Sequence, residues 1–425
     1  MPIAVDVDGL FSPQRIQMGF DSRQSTPGFK RQLIFINGET RSFKRASLLM
    51  ERVNGLKVSP NTIERICLEV GNELASVAQQ DWKGVLEGEV VTPLLAVVSC
   101  DGGRIRTRKT GCGPGVHLDG QGWHETKNAI FVSATSETSD ADPEPKPPAC
   151  FLDRNHVAKL CETAKTKENT GRNQSLPEAK NSASKRNGKR QHAKHKPQKV
   201  HRTLISSMRK SKEFGVQMRR EASRRKFDQA PRRAFVGDGL SCNWKIHQEH
   251  FGDYVGILDF IHAVTYLHRA SLACRGKGDA AWESYTRWMT MTWQGNVADV
   301  IAELSVHRSG LGAAAADADA DEDDPREQLR QIIGYLTNNR DRMHYARYRC
   351  EGLPTTSAWM ESAVKEINFR TKGSEMFWNN PAGAEAILQI RAASLSDDDR
   401  LARYLAGRRG SSRLRKANQS AAIAA

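Results

Sequence analysis

The stretch Leu94 to Arg108, LLAVVSCDGGRIRTR, constrains the fold more than any other part of the chain. A short apolar run rich in Val and Leu and closed by glycines reads as a buried strand, and Asp101 stands where its carboxyl end should emerge. Two readings of Asp101 are open. It is the first residue of an Asp-Gly hairpin turn, with Arg104 to Arg108 as the returning strand. Alternatively, it is one member of a catalytic set, which requires a second acid in a similar setting.

That second acid is available. The run Ala234 to Gly237, AFVG, ends on Asp238 and Gly239, and VGILDF at 255–260 places Asp259 at the end of another short strand that leads into a helix near His262. Three strands are expected between Val90 and Thr135: 91–100, 104–109 and 129–134, a meander with Asp101 at its first turn.

Ahead of this region, Phe43, Ala46, Leu49, Met50 and Val53 recur at helical spacing, and Gly55 is a stop signal. Ser59 as N-cap and Pro60 at the first helical position open a second helix with Ile63, Ile66, Cys67, Val70 and Leu74 on one face. Two helices joined by a short turn make a helix-turn-helix candidate over 43–84, presenting Asn61, Thr62 and Arg65 to DNA. A plain helical hairpin packed on another domain fits the same residues. Residues 1–42 carry little signal.

Charge is concentrated. Of the net +15, the segment Lys165 to Arg233 holds 22 Lys and Arg against 5 Asp and Glu, so the remainder is close to neutral. Such a segment suits a polyanion, or is a solvated linker kept extended by its own repulsion. The expectation is a basic, partly disordered insertion over 165–233, with helix in Arg202 to Lys226.

From His262 to about Val306 the chain reads as helical, with Trp282, Tyr285, Trp288 and Trp293 at helical intervals. A subdomain core is favoured over base stacking. An acidic linker follows at 309–324, then a helix opened by Asp324 and Pro325. Thr356 or Ser357 caps a further helix carrying Glu361, Lys365, Glu366 and Arg370, and a basic flexible tail is expected over 393–425.

The eight cysteines form no CxxC pair or zinc-spaced cluster, which points to free thiols in a reducing compartment. No apolar run approaches the roughly 20 residues of a membrane span, so a cytoplasmic protein is expected, with no membrane partner.

Taken in order, VSCDGGRIRTR, GWHETKNAI, VGDGLSCNW, GILDFIHAVTYLHRA, the block NNRDRMHYARYRCEGLPTTSAWMESAVKEINFRTKGSEMFW, and ILQIRAASLS resemble the successive blocks of bacterial insertion-sequence transposases of the DDE class, in particular the ISKra lineage. The resemblance runs from about Phe43 to Ser394. It implies an α/β, ribonuclease-H-like catalytic core in pieces (90–164, 234–262 and 351–392), interrupted by an all-helical insertion at 263–350 and preceded by the DNA-binding unit. By matching position it makes Asp101, Asp238 and Glu361 the catalytic acids and metal ligands, and Asp259 and His262 accessory active-site residues. Lys365 and Arg370 would hold the DNA backbone, and Glu366 is a fallback third acid.

Hard oxygen ligands of this kind suit two magnesium ions, or manganese in their place. The implied partners are double-stranded DNA, as element ends and target, and further copies of the chain, since two ends must be brought together. The implied setting is the bacterial nucleoid. The segment before Glu361 departs from the family pattern: Thr356-Ser357-Ala358-Trp359 stands where Ser-Gly or Gly-Ser-Gly is usual. Two other functions remain open at this level: a DNA-binding regulator or decayed transposase without catalysis, and a nuclease on the same core that does not transfer strands.

Overall fold

A computed structural model describes residues 25–80, 91–108, 122–170, 193–312, 324–373 and 376–407. Its centre is a mixed five-stranded sheet in the order β3-β2-β1-β4-β5. The strands are β1 (Leu95–Arg106), β2 (Trp123–Thr135), β3 (Gln198–Ser207), β4 (Arg232–Gly237) and β5 (Val255–Leu258). β1, β2 and β3 run antiparallel in sequence, and β4 and β5 add on parallel to β1.

The first six residues of β1 are all buried, because the strand is central and both faces of the sheet are covered. A near-continuous apolar run is what that position demands. The run does not turn at Asp101. Pairing with β2 continues from Leu95↔Ala134 through Asp101↔Asn128 to Arg106↔Trp123, and Gly102 and Gly103 take no positive φ. An unbroken partner strand supplies hydrogen bonds along the whole length, so the Asp-Gly dipeptide stays extended. The expected strands at 91–100 and 104–109 are one strand.

The third antiparallel strand comes instead from the basic segment. β3 starts exposed and ends with five buried residues, Thr203 to Ser207, where helix was expected from Arg202. Helix begins only at Ser211.

Among the described residues, three helices precede the sheet: α1 (Pro27–Gly38), α2 (Phe43–Asn54) and α3 (Pro60–Gln79). Ser42 and Ser59 cap α2 and α3 through the amides of Arg45 and Thr62, and Gly55 ends α2 at φ +68. Within the sheet region lie α4 (Arg154–Thr170) after β2, α5 (Ser211–Arg224) after β3 and α6 (Ser241–His250) after β4. The helical insertion comprises α7 (Phe260–Arg275), α8 (Asp279–Trp293), α9 (Val297–Gly310), α10 (Pro325–Asn339) and α11 (Tyr345–Cys350). Tyr285, Trp288 and Trp293 are buried in it, as a packing role requires. From α11, Tyr345 and Tyr348 donate their hydroxyls to the carbonyls of Leu258 and Gly256, which covers the free edge of β5.

The chain closes with α12 (Ala358–Thr371), α13 (Pro381–Ser394) and α14 (Arg400–Gly407). Two apolar cores result. The larger surrounds the sheet and the insertion. The smaller joins α1, α2 and α3 to α13 and α14 through Leu33, Met50, Ile66, Ile387 and Tyr404. α3 and α13 cross so closely that a Cβ on Gly71 would run into the backbone carbonyl of Ala386.

Two sequence expectations therefore change. Residues 27–38 form a helix, and 393–407 hold packed helix rather than only flexible tail, because both ends are needed to bury the apolar face of α3. The ends expected at 1–24 and 408–425 lie outside the described residues.

Candidate active site

The parallel pairing of β1 with β4 runs to Ser99↔Val236, and Ser99 Oγ donates to the Val236 carbonyl at 2.7 Å. Two residues further along both strands stand Asp101 and Asp238. β4 ends at Gly237, so Asp101 loses its neighbour on that side where the carboxylates begin.

Asn243, buried in the first turn of α6, ties the end of β4 to the middle of β1. Its Nδ2 donates to Asp238 Oδ1 at 3.0 Å and to the carbonyl of Cys100 at 3.3 Å. The amide of Leu240 also donates to Asp238 Oδ1, at 3.1 Å, and Tyr335 of α10 donates its hydroxyl to the Asp238 carbonyl at 3.0 Å. Gly239 is held at φ +96 with the Tyr335 ring against it, so here the Asp-Gly pair does need its glycine. Asp238 Oδ2 accepts from no described residue.

Negative potential gathers at this place. Burial, and after it the charges of Asp238 and Asp101, push the Cys100 thiol well above its usual pKa. Lys127, opposite Gly102 on β2 and almost fully buried, is paired with Glu125 at 2.6 Å.

Asp259 ends β5 and caps α7, and it is fully buried. Its Oδ1 accepts from the amides of Ile261 (3.1 Å) and Ser357 (3.2 Å). Its Oδ2 accepts from His262 Nδ1 (2.8 Å) and Ser357 Oγ (2.9 Å). Burial alone would raise its pKa, yet the bonds from His262 and Ser357 hold it below the usual carboxylate value. Since a carboxylate can only accept, His262 carries its proton on Nδ1.

Glu361 lies in the first turn of α12, which packs against β1 and β2. Glu361 and Lys365 line a cleft of about 780 Å³, together with Phe151, His195, Arg349 and Trp359; neither Asp101 nor Asp238 lines it. Among the described residues, no three His, Cys, Asp or Glu side chains group closely enough to hold a metal ion. The structure thus brings Asp101 beside Asp238 and Asp259 beside His262, and places Glu361 outside any such group.

The remaining candidates separate by exposure. Asn61 and Arg65 are exposed at the start of α3, and Thr62 is half-buried with its hydroxyl against that of Ser59 at 2.9 Å. Arg370 is buried, at 2% exposure. Its guanidinium reaches the Arg41 carbonyl and Asn37 Oδ1 and lies over the rings of Phe43 and Trp378, and burial pulls its pKa down to about 10. A side chain so enclosed offers nothing to a DNA backbone, which removes Arg370 from the expected contacts. Glu366 is held through both oxygens by Arg202 at 2.7 Å, which removes it as a spare acid.

Much of the basic segment is likewise spent internally. Arg219 pairs with Asp228 and Arg233 with Asp253. Arg225 and Arg400 share Glu221 and Asp398, and against the cost of burial these arginines bring Glu221 down to about 2. These are packed residues; the stretch 171–192, where disorder was expected, lies outside the described residues. Asn243 and Tyr335 carried no sequence signal beyond the position of Asn243 five residues after Asp238, and Ser357 was legible only as a cap.

No protein-family model and no curated protein matches the sequence. Among solved structures, the chain is similar to the Drosophila P element transposase strand transfer complex, with a TM-score of 0.34 and 10% identity over 89% of this chain and 93% of that one. Among the described residues no helix is long and apolar enough to cross a membrane.

Proposed function

We propose that this chain is a DNA transposase of the DDE class, with a ribonuclease-H-like core, that cleaves element ends and joins them to target DNA. The observation that carries the proposal is the placement of Asp101 and Asp238, each two residues past Ser99↔Val236, the last register pair of parallel strands β1 and β4. The sheet agrees with it: three antiparallel strands, then further strands bringing the second acid, then a helical insertion ahead of the helix with Glu361.

Two carboxylates side by side, one with an oxygen free of described donors, are hard ligands of the kind magnesium or manganese takes. Asp101 and Asp238 would hold such an ion, with Glu361 as the third ligand, and its charge would favour the attacking and leaving oxygens of a phosphodiester. The chain's own contribution is positional. Asn243 fixes the Asp238 carboxylate relative to β1, and Tyr335 fixes its backbone. Water attack at phosphorus releases a 3′ hydroxyl at the element end. That hydroxyl then attacks a target phosphodiester in line and displaces the target's own 3′ oxygen, with no covalent protein intermediate.

Asn61, Thr62, Arg65 and Lys365 are the proposed DNA contacts, with 43–84 as a helix-turn-helix, and two or more copies would hold the two ends. The test is cleavage of duplex DNA carrying the sequences that flank the gene, with magnesium. Asp101→Asn, Asp238→Asn and Glu361→Gln should each abolish cleavage and leave DNA binding intact; full cleavage by any of them overturns that residue's role.

One observation favours a second reading. Glu361 is not grouped with the two aspartates in this structure, as would hold for a decayed transposase that only binds DNA. Wild-type protein that binds flanking DNA but never nicks it would select that reading. Nicking without joined products would select a nuclease on the same core.

A further inference from the structure

We propose that Asp259 is a positioning residue, excluded from binding metal, which sets where the helix carrying Glu361 begins. The proposal rests on the reading of Glu361 as the third acid and adds what holds it.

Asp259 ends a strand, is followed by a helix and lies next in the sheet to the strand of Asp238, so by sequence and topology it competes for the role of second acid. Its hydrogen bonds decide against that. A carboxylate has about four lone-pair sites, and here each oxygen already accepts two protein donors. The four donors are Ile261 N and Ser357 N on Oδ1, and His262 Nδ1 and Ser357 Oγ on Oδ2. With the side chain also fully buried, no lone pair faces outward.

The donors come from two helices. Ile261 and His262 belong to the first turn of α7, whereas Ser357 is the N-cap of α12 and supplies both its amide and its hydroxyl. A second tether runs beside the first: the Phe260 amide donates to the Thr355 carbonyl at 3.0 Å. The two helix starts are therefore fixed to each other at the end of β5.

Ser357 in turn opens α12, since its carbonyl accepts from the amides of Met360 (2.8 Å) and Glu361 (3.0 Å). Only one peptide hydrogen bond lies between the residue Asp259 grips and the backbone of Glu361. Ser357 makes no side-chain cap to its own helix, because its hydroxyl is committed to Asp259. The cap that sequence would assign to α12 is spent across the interface, on register.

The experiment uses the full chain with Ser357→Ala, Ser357→Thr and Asp259→Asn. In metal-free protein, Ser357→Ala should speed hydrogen exchange about tenfold at the amides of Met360 and Glu361 without affecting the sheet. On flanking-sequence DNA it should slow single-turnover cleavage by 10- to 100-fold with DNA affinity unchanged, and Ser357→Thr should restore both. Asp259→Asn should behave like Ser357→Ala. Unchanged exchange and cleavage in both variants overturns the proposal, as does faster exchange spread over the whole sheet, the sign of a merely structural role. Failure of the transposase reading looks different: wild type that does not cleave, or active Glu361→Gln, leaves the exchange result to judge the tether by itself.

Discussion

Asp238 and Asp259 close neighbouring parallel strands, each is followed by a helix, and 21 positions separate them. Their surroundings differ in every other respect. Asp238 is half-buried, accepts its side-chain bonds on one oxygen and leaves the other without a described donor. Asp259 is sealed and fully subscribed. The same residue at the same place in a strand-to-helix junction is thus left available in one case and consumed in the other, and the deciding factor is which helix arrives afterwards. α10 reaches Asp238 only through its backbone, by way of Tyr335, while the start of α12 takes the Asp259 carboxylate itself.

The largest effect that would break this comparison concerns activity. Asp238→Asn should bring cleavage to background, whereas Asp259→Asn should keep a measurable, slower rate; equal loss in both would put Asp259 among the ligands. Stability should reverse the ranking. Asp259→Ala strands four buried donors and should cost about 3 kcal/mol in urea unfolding, against less than about 1 kcal/mol for Asp238→Ala at its half-exposed site.

Acid should sharpen the same contrast. The folded pKa of Asp259 is depressed, so its stabilising contribution is complete above the ordinary carboxylate pKa and is lost as pH falls through the lower folded value. Stability measured in steps below about pH 5 should fall less steeply in Asp259→Asn than in wild type. The next effect is smaller: Asn243→Ala should cost about 1 to 2 kcal/mol and slow cleavage, by releasing Asp238 from β1. The smallest belongs to Tyr335→Phe, which keeps the ring against Gly239 and loses one hydroxyl bond, about 1 kcal/mol by thermal unfolding.

How far this contrast was legible in sequence depended on how local each signal is. β1, β4 and β5 showed as apolar runs closed by acids, and α2 and α3 showed through Ser59, Pro60 and Gly55, because strand burial and capping are read from adjacent residues. The Asp-Gly pair at 101 was misleading for the opposite reason. The same dipeptide turns at 238, with Gly239 at φ +96, and stays extended at 101, since the partner that keeps it extended is β2, more than twenty residues away.

β3 was concealed by Arg202 and His201 on an edge strand, where charge is tolerated and reads as solvated helix or linker. α1 had a visible signal in Thr26 and Pro27, whose cap the Phe29 amide completes at 3.2 Å. Arg370 could not have been placed from its helix alone, because what buries it is the unit formed by the two ends of the chain.

That unit bears on how the protein is made. α1 to α3 leave the ribosome well before α13, and the partner that covers α3, across the close approach of Gly71 and Ala386, is translated some three hundred residues later. At a synthesis rate of about 5 to 20 residues per second, the apolar stripe of α3 waits at least about 15 seconds for α13. During that interval the nascent chain carries an uncovered apolar stripe, a natural docking place for a chaperone and a place where slow translation would turn into aggregation.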